Sequence, residues 1–346
     1  MYFMQEINVI LDPTTNVMYS SFYIKGLYEY FGFKKVRFGS YSTHFRDLRR
    51  KKVTDCFDQY LAFLIIEGNQ KIKIIVDYRD KSIVDSEAYE WCDKYFKVNT
   101  HFDEIREKVE SITPNFGIRV WNRYYTLYFL IINLFLSNFS VPTNWRKFIG
   151  VYYLSYKRPK LEDYYKHVDV KKNYIFSIAT LWNRKNTLTA TNVWRKLFIE
   201  IAKKNSKINF EGGFYALPGH PNYENYQSLV FDKRYSINDY LRKTKKSEVV
   251  FNTPAVHDCH GWKLGEYLAM GKAIISTELS NKLPKELING ENFHLIKTEK
   301  ELEQALKFIN ENNKYRETLE KGSKNYYKKN VTPVKVIGYI IEKINY

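Results

Sequence analysis

Short apolar runs alternate with amphipathic stretches along most of the chain, and turn residues separate them. Ile7 to Leu11 reads as a buried strand, Asn16 to Phe31 has helical spacing that ends at Gly32, and Lys35 to Phe38 is a second short strand. Leu61 to Ile66 is a buried segment, and the strands Ile72 to Val76, ending in Asp77, and Tyr95 to Val98 continue the series. This alternation predicts an α/β fold whose parallel sheet is covered on both faces.

A polar, lysine-rich stretch from Lys157 to Asn173, containing Pro159, separates this half from a second in which the alternation restarts. Tyr174 to Ala179 is a strand, and Ala190 to Lys204 is a helix with Val193, Trp194, Leu197, Phe198 and Ile201 on one face. Ile208 to Phe210 is a strand followed by Gly212 and Gly213. Ser236 with Asp239 caps the next helix, and Val249 to Phe251 is the next strand. Gly261 to Met270 is a helix closed by Gly271, Ala273 to Ser276 and Phe293 to Ile296 are strands, and Thr298 with Glu301 caps a last helix. The expected organisation is two Rossmann-like domains, 1–165 and 166–330, with 331–346 as a C-terminal helix able to pack back on the first.

Tyr124 to Phe139 is dominated by Tyr, Leu, Phe and Ile and bracketed by Arg123 and Arg146. It is short of the ~20 apolar residues of a bilayer span. A buried helix of the first domain is the favoured reading, with an interfacial membrane helix as the alternative.

Composition narrows the picture. At 346 residues, 44% of them hydrophobic, the chain can bury two cores. The opening segment lacks the features of a signal peptide, which points to the cytoplasm, with the inner face of the membrane as a second location. Three scattered cysteines, Cys56, Cys92 and Cys259, argue against a disulfide framework or a structural metal. A formal charge of +17 attracts phosphate, whether in a nucleotide diphosphate, an anionic membrane or a nucleic acid. A genome bias toward Lys, Asn, Ile and Tyr accounts for that charge equally well.

The most informative segment is Asn252 to Thr277, NTPAVHDCHGWKLGEYLAMGKAIIST. A strand ends at Asn252, a polar loop follows, and a helix begins after Gly261 with its positive end toward that loop. Open α/β sheets bind ligands at this place, beyond the carboxyl ends of their strands. Glu266 sits among Leu264, Tyr267, Leu268 and Met270, where burying a carboxylate needs a partner. A ribose diol would serve.

Asp258-Cys-His-Gly261-Trp-Lys-Leu-Gly-Glu266, followed by Tyr-Leu-Ala-Met-Gly271-Lys-Ala-Ile-Ile-Ser-Thr, resembles the donor-binding segment of the GT-B glycosyltransferases, especially family 4, also called group 1. Two further stretches, at 287–292 and 108–118, are similar to family segments in the same order. The resemblance implies two Rossmann-like domains with parallel sheets facing a central cleft and a nucleotide-sugar-dependent, hexosyltransferase-like activity with retention. It also implies that Glu266 bonds the donor ribose and that Asp258, standing where the family has Glu, faces the sugar, with the backbone after His260 assisting. The implied partners are a nucleotide-diphosphate sugar and a glycan or lipid-linked acceptor, with no tightly bound cofactor and no metal.

Other candidates surround that segment. Arg184 and Lys185, after the first strand of the second half, could clamp the diphosphate. Gly213, in a loop with Gly212, Phe214 and Tyr215, could hold the base, and a plain turn is the competing reading. His260, Gly261 and Trp262 line the donor segment, and two histidines three apart are poor evidence for zinc. Asp77-Tyr-Arg-Asp80 is the nearest approach to a metal-binding Asp-x-Asp. His44 is a candidate catalytic base in the first domain. An inverting transferase using His44 or Asp12 is the enzyme alternative. A basic nucleic-acid-binding protein and a membrane-surface scaffold are the alternatives from other classes, although no nucleic-acid motif appears and nucleic acid is not an expected partner.

Overall fold

The computed structural model describes residues 7–48, 50, 60–141, 143–185, 187–231 and 233–344, so Cys56 lies outside the described residues. Contacts divide the chain into two units, 1–161 with 330–346, and 162–329.

In unit 1, β1 (Ile7–Leu11), α1 (Ser21–Phe31), β2 (Val36–Phe38) and α2 (Tyr41–His44) precede β3 (Leu61–Glu67) and β4 (Gln70–Asp77). Then come α3 (Ser86–Trp91), β5 (Lys94–Lys97), β6 (Val109–Ser111), α4 (Arg123–Leu136) and α5 (Trp145–Lys157). The sheet order is β2-β1-β3-β4-β5-β6. It is not parallel throughout: β3 pairs antiparallel with both β1 and β4. Gly68 and Asn69 form a two-residue connection, with Gly68 at φ 58°, and that geometry folds the chain back as a hairpin in place of a crossover. The core gathers Ile10, Leu64, Ile75, Phe45 and Tyr95. The last helix, which follows unit 2 in the chain, packs on α1. A Cβ at Gly26 of α1 would stand 2.4 Å from the carbonyl oxygen of Pro333, so only glycine allows that approach.

The Tyr124 to Phe139 stretch is not a core helix. In α4 only Thr126, Phe129 and Asn133 are buried, while Tyr124 is 82% and Phe135 60% exposed. Its uniform apolarity hides a one-sided helix, because the buried face is fixed by Asn133, whose Nδ2 donates to Tyr152 Oη at 2.7 Å.

Short helix α6 (Leu161–Tyr165), all but its first residue in unit 2, is followed by β7 (Tyr174–Thr180), α7 (Asn192–Lys204), β8 (Asn209–Tyr215), α8 (Tyr223–Tyr226) and α9 (Ile237–Lys246). The chain continues with β9 (Val249–Asn252), α10 (Trp262–Met270), β10 (Ala273–Ser276), β11 (His294–Leu295), α11 (Glu299–Glu311) and α12 (Asn313–Tyr326). It ends with α13 (Pro333–Ile344) of unit 1. β7 pairs parallel with β8, and β9, β10 and β11 form a parallel ladder. The two ladders abut along β7 and β9, where Glu248 N donates to Tyr174 O at 2.8 Å. From β7 the chain moves outward to β8 on one side, and from β9 to β10 and β11 on the other. The strand order therefore reverses between β7 and β9, the position at which doubly wound sheets open a crevice. Phe198 of α7 stacks on Phe251 at 4.6 Å beneath that crevice, in a core shared with Ile175, Ala273 and Leu306.

Candidate functional site

Beyond the carboxyl ends of β7, β8 and β9, unit 2 carries two adjoining cavities. The first, of about 340 Å³, lies against β7 and β8 and has aromatic walls from Tyr215, Phe231, Tyr235 and Tyr240. Phe231 and Tyr235 stack at 5.6 Å with an interplanar angle of 5°. Glu211 fixes this wall: its carboxylate accepts from Tyr235 Oη at 2.6 Å, Tyr174 Oη at 2.5 Å and Lys243 Nζ at 2.8 Å. Burial would raise the Glu211 pKa, but these donors hold it at about 2. The second cavity, of about 180 Å³, lies between β7 and β9 and is lined by Arg195, Thr253, Gly261 and Trp262. Ala179, Thr180 and Lys263 line both cavities, which makes them neighbours through one shared wall.

Two cations stand here, Lys263 in the shared wall and Arg195 in the second cavity. Arg195, on α7, donates from Nε to Thr253 Oγ1 at 3.1 Å, and burial pushes its pKa down to about 10. Lys263, in the first turn of α10, donates to the Ile178 carbonyl. Burial and the nearby Arg195 push its pKa down to about 7, with Glu266 opposing them. Among the described residues neither cation forms a salt bridge, and Gly261 caps the start of α10 beside them, where backbone N–H groups face outward. Two half-desolvated cations at a helix N-terminus favour an anion.

The sequence candidates distribute unevenly around this centre. Arg184 and Lys185 are exposed and line neither cavity, so the cations at the crevice are Arg195 and Lys263. Arg195 was hidden on the polar side of an amphipathic helix, and Lys263 lay inside the segment already singled out but without a distinguishing spacing. Gly213 does not belong to a loop: β8 runs through the glycine pair, with φ 125° at Gly212 and 148° at Gly213. A Cβ on Gly213 would come within 2.3 Å of the Leu229 carbonyl oxygen, so the close approach is made by protein backbone, although Gly213 still borders the aromatic cavity.

Glu266 is buried, and it has protein partners. Oε1 accepts from Tyr164 Oη at 3.2 Å and Oε2 from Tyr240 Oη at 3.0 Å. The carboxylate that needed a partner in the sequence thus finds two tyrosines, one of which lines the aromatic cavity. Asp258 is exposed, and it follows His257 with both residues at φ 59°. Such left-handed non-glycine positions cost on the order of 1–3 kcal/mol each. Asn281 Nδ2 donates to the Asp258 carbonyl at 2.8 Å, and the buried His260 ring bonds to the backbone of Lys282 and Asn281, which pins the strained loop. Burial pushes the His260 pKa down to about 4, so the ring is neutral at pH 7. Trp262 and Gly261 border the second cavity.

The unit 1 candidates have different surroundings. His44 ends α2 with its ring against Gly39 and Phe45; burial, Lys71 and Arg37 lower its pKa. Asp12 is fully buried and accepts from Thr14 N and Oγ1, each at 2.7 Å, and from Arg50 Nε at 2.8 Å. That turn-forming, ion-paired role leaves it unsuited to act as a base. Asp77 accepts from Lys97, Arg79 and Tyr95, so its carboxylate serves a buried ion cluster in place of a metal. Among the described residues no group of three His, Cys, Asp or Glu could hold a metal ion, and no helix is long and apolar enough to cross a membrane.

No family model and no curated protein matches the chain. Solved structures similar to it include the C-terminal domain of a group 1 family glycosyl transferase from Francisella tularensis, at 14% identity over 49% of this chain and 95% of that one, with a TM-score of 0.35. A glycosyltransferase from Rickettsia africae matches at 12% identity over 72% of this chain, with a TM-score of 0.42, and the chain spans 62% of its length. The HepE protein of Anabaena, in complex with UDP and glucose, matches at 13% identity over 75% of this chain and 65% of that one, with a TM-score of 0.44.

Proposed function

We propose that this chain is a GT-B glycosyltransferase and that unit 2 binds its nucleotide-diphosphate sugar donor. One observation carries the reading: Arg195 and Lys263 meet, without a carboxylate in salt-bridge contact among the described residues, at the strand-order reversal and beside the start of α10. The aromatic cavity would take the base, with Tyr235 and Phe231 as a stacking wall and Tyr240 toward the ribose. Glu266 would serve the ribose through Tyr240, whose hydroxyl it holds. Arg195, Lys263 and the α10 N-terminus would neutralise the diphosphate as it departs. Asp258, exposed on its strained loop, would face the sugar, consistent with the family resemblance of Asp258 to Glu266. Retention at the anomeric carbon and a glycan or lipid-linked acceptor are the finer parts of the proposal and rest on that resemblance.

Titration calorimetry with UDP, GDP, ADP and TDP tests the donor site. One of them should bind in the micromolar range to the full chain, and its sugar conjugate should be turned over. Failure of all four to bind at millimolar concentration would overturn the reading.

A further inference from the structure

The apolar surface of unit 1 points to an interaction that the donor site does not explain. On α4, Tyr124, Leu127, Tyr128, Ile131 and Phe135 are all exposed and recur at the 3–4 residue spacing of one helix face. On α5, Trp145, Ile149 and Tyr153 do the same. The two faces are continuous: Phe135 contacts Phe139 at 5.2 Å and Phe139 contacts Trp145 at 5.9 Å, so an aromatic chain crosses from one helix to the other. Soluble surfaces rarely leave so many large apolar side chains together.

Charge selects the occupant. Between Glu110 and Glu162 the chain has no acidic residue and seven lysines and arginines, Arg123, Arg146 and Lys157 among them. A second copy of the same face would set like charges against each other. A lipid surface carrying anionic headgroups would instead meet complementary charge, and tyrosine and tryptophan suit its interface, with ring below and polar tip at the water. We propose that the α4–α5 face docks on an anionic bilayer, lying in the headgroup layer without crossing it. The connecting segment, through Phe139 and Trp145, also lines a cavity of about 400 Å³ with Thr14, Tyr41 and Arg50, so docking sets the rim of that cavity at the headgroup level.

Sedimentation with vesicles of phosphatidylcholine alone, or with 3:1 phosphatidylcholine and phosphatidylglycerol, tests this. The full chain should bind the anionic vesicles at low salt at least tenfold more tightly than neutral ones. The triple variant Tyr128→Ser, Ile131→Ser, Phe135→Ser should lose that binding and keep its thermal midpoint, since all three side chains are exposed. Replacing Arg146 and Lys147 with Gln should weaken binding and flatten its salt dependence. Three results would overturn the proposal: no binding to anionic vesicles at low salt, full binding by the triple variant, or a dimer in sedimentation velocity that the triple variant abolishes while vesicle binding is absent. Each readout is independent of nucleotide binding, so the donor-site reading and this one can fail separately.

Discussion

Both units place charged side chains at the carboxyl ends of their strands, and they treat them in opposite ways. In unit 1 the charges are closed on one another. Arg50 pairs with Asp12 after β1, and at the ends of β4 and β5 Lys97 and Arg79 pair with Asp77 at 2.8 and 2.7 Å. Burial would raise the Asp77 pKa, but Lys97 and Arg79 overcome it and hold the carboxyl well below the usual carboxylate range. In unit 2, Arg195 on α7 and Lys263 on α10 stand near the strand ends with no carboxylate in salt-bridge contact among the described residues, and burial lowers both pKa values, with Glu266 opposing it at Lys263. Paired charges lock a loop, whereas cations of one sign that lack a salt-bridge partner leave an interaction that a ligand can complete.

The largest expected effect comes from opening a closed cluster. Lys97→Met would leave the buried Asp77 carboxylate with one cation fewer, and should destabilise the protein by roughly 3 kcal/mol in urea unfolding. The same Lys→Met exchange in unit 2 should have the opposite sign for stability. The unliganded protein gains from losing a poorly solvated ammonium, so Lys263→Met should raise the thermal midpoint at pH 6.5. It should also weaken diphosphate binding by ~1.5–3 kcal/mol, roughly tenfold to 150-fold, as should Arg195→Met, while Arg184→Ala changes affinity less than about twofold. A loss confined to Arg184→Ala would erase the contrast between the units and move the clamp back to the exposed loop.

Asp258→Asn sharpens the comparison within unit 2. With Asp258 facing the sugar, turnover of the intact donor should fall by about tenfold or more while affinity for the free diphosphate stays within about twofold. Equal losses would make the residue a support for the strained loop alone.

Much of the architecture was legible because periodicity reports burial directly. In unit 2 β7, α7, β9, α10 and β10, the Gly271 stop after α10 and the Ser236 cap of α9 stand where the pattern put them, whereas β8 runs on through the glycine pair and α12 carried no expectation. Direction was harder to read. β3 is as apolar as a parallel core strand, and only the Gly68-Asn69 pair distinguishes a hairpin from a crossover. The face of α4 was not legible either, since apolar residues surround the helix on nearly all sides and the polar Thr126 and Asn133 are two of its three buried residues. In the site, the Asp258 to Glu266 segment could be located from its glycine and its position after a strand. The partners of Glu266 could not, because Tyr164 lies 102 positions away and Tyr240 lies 26. Arg184 and Lys185 drew attention by adjacency in sequence, whereas Arg195 and Lys263 line one cavity only once α7 and α10 are packed on the same sheet.

Lys263 keeps a depressed pKa because Glu266 does not offset burial and Arg195, and proton-linked binding tests this most directly. In the unliganded protein its pKa is pushed down to about 7, against an ordinary 10.5, so the unfolded chain holds a proton between those values that the folded chain has released. That group therefore makes the unliganded protein more stable as pH rises from about 7 toward 10.5. A diphosphate favours the charged ammonium and reverses the shift. Calorimetric titration of the bound nucleoside diphosphate at pH 6.5 and 8.5, in buffers of different ionisation enthalpy, should show proton uptake and an affinity about tenfold lower at the higher pH. Both effects should vanish in Lys263→Met. Affinity that does not change with pH in the native chain, or the same pH dependence in Lys263→Met, would contradict the account.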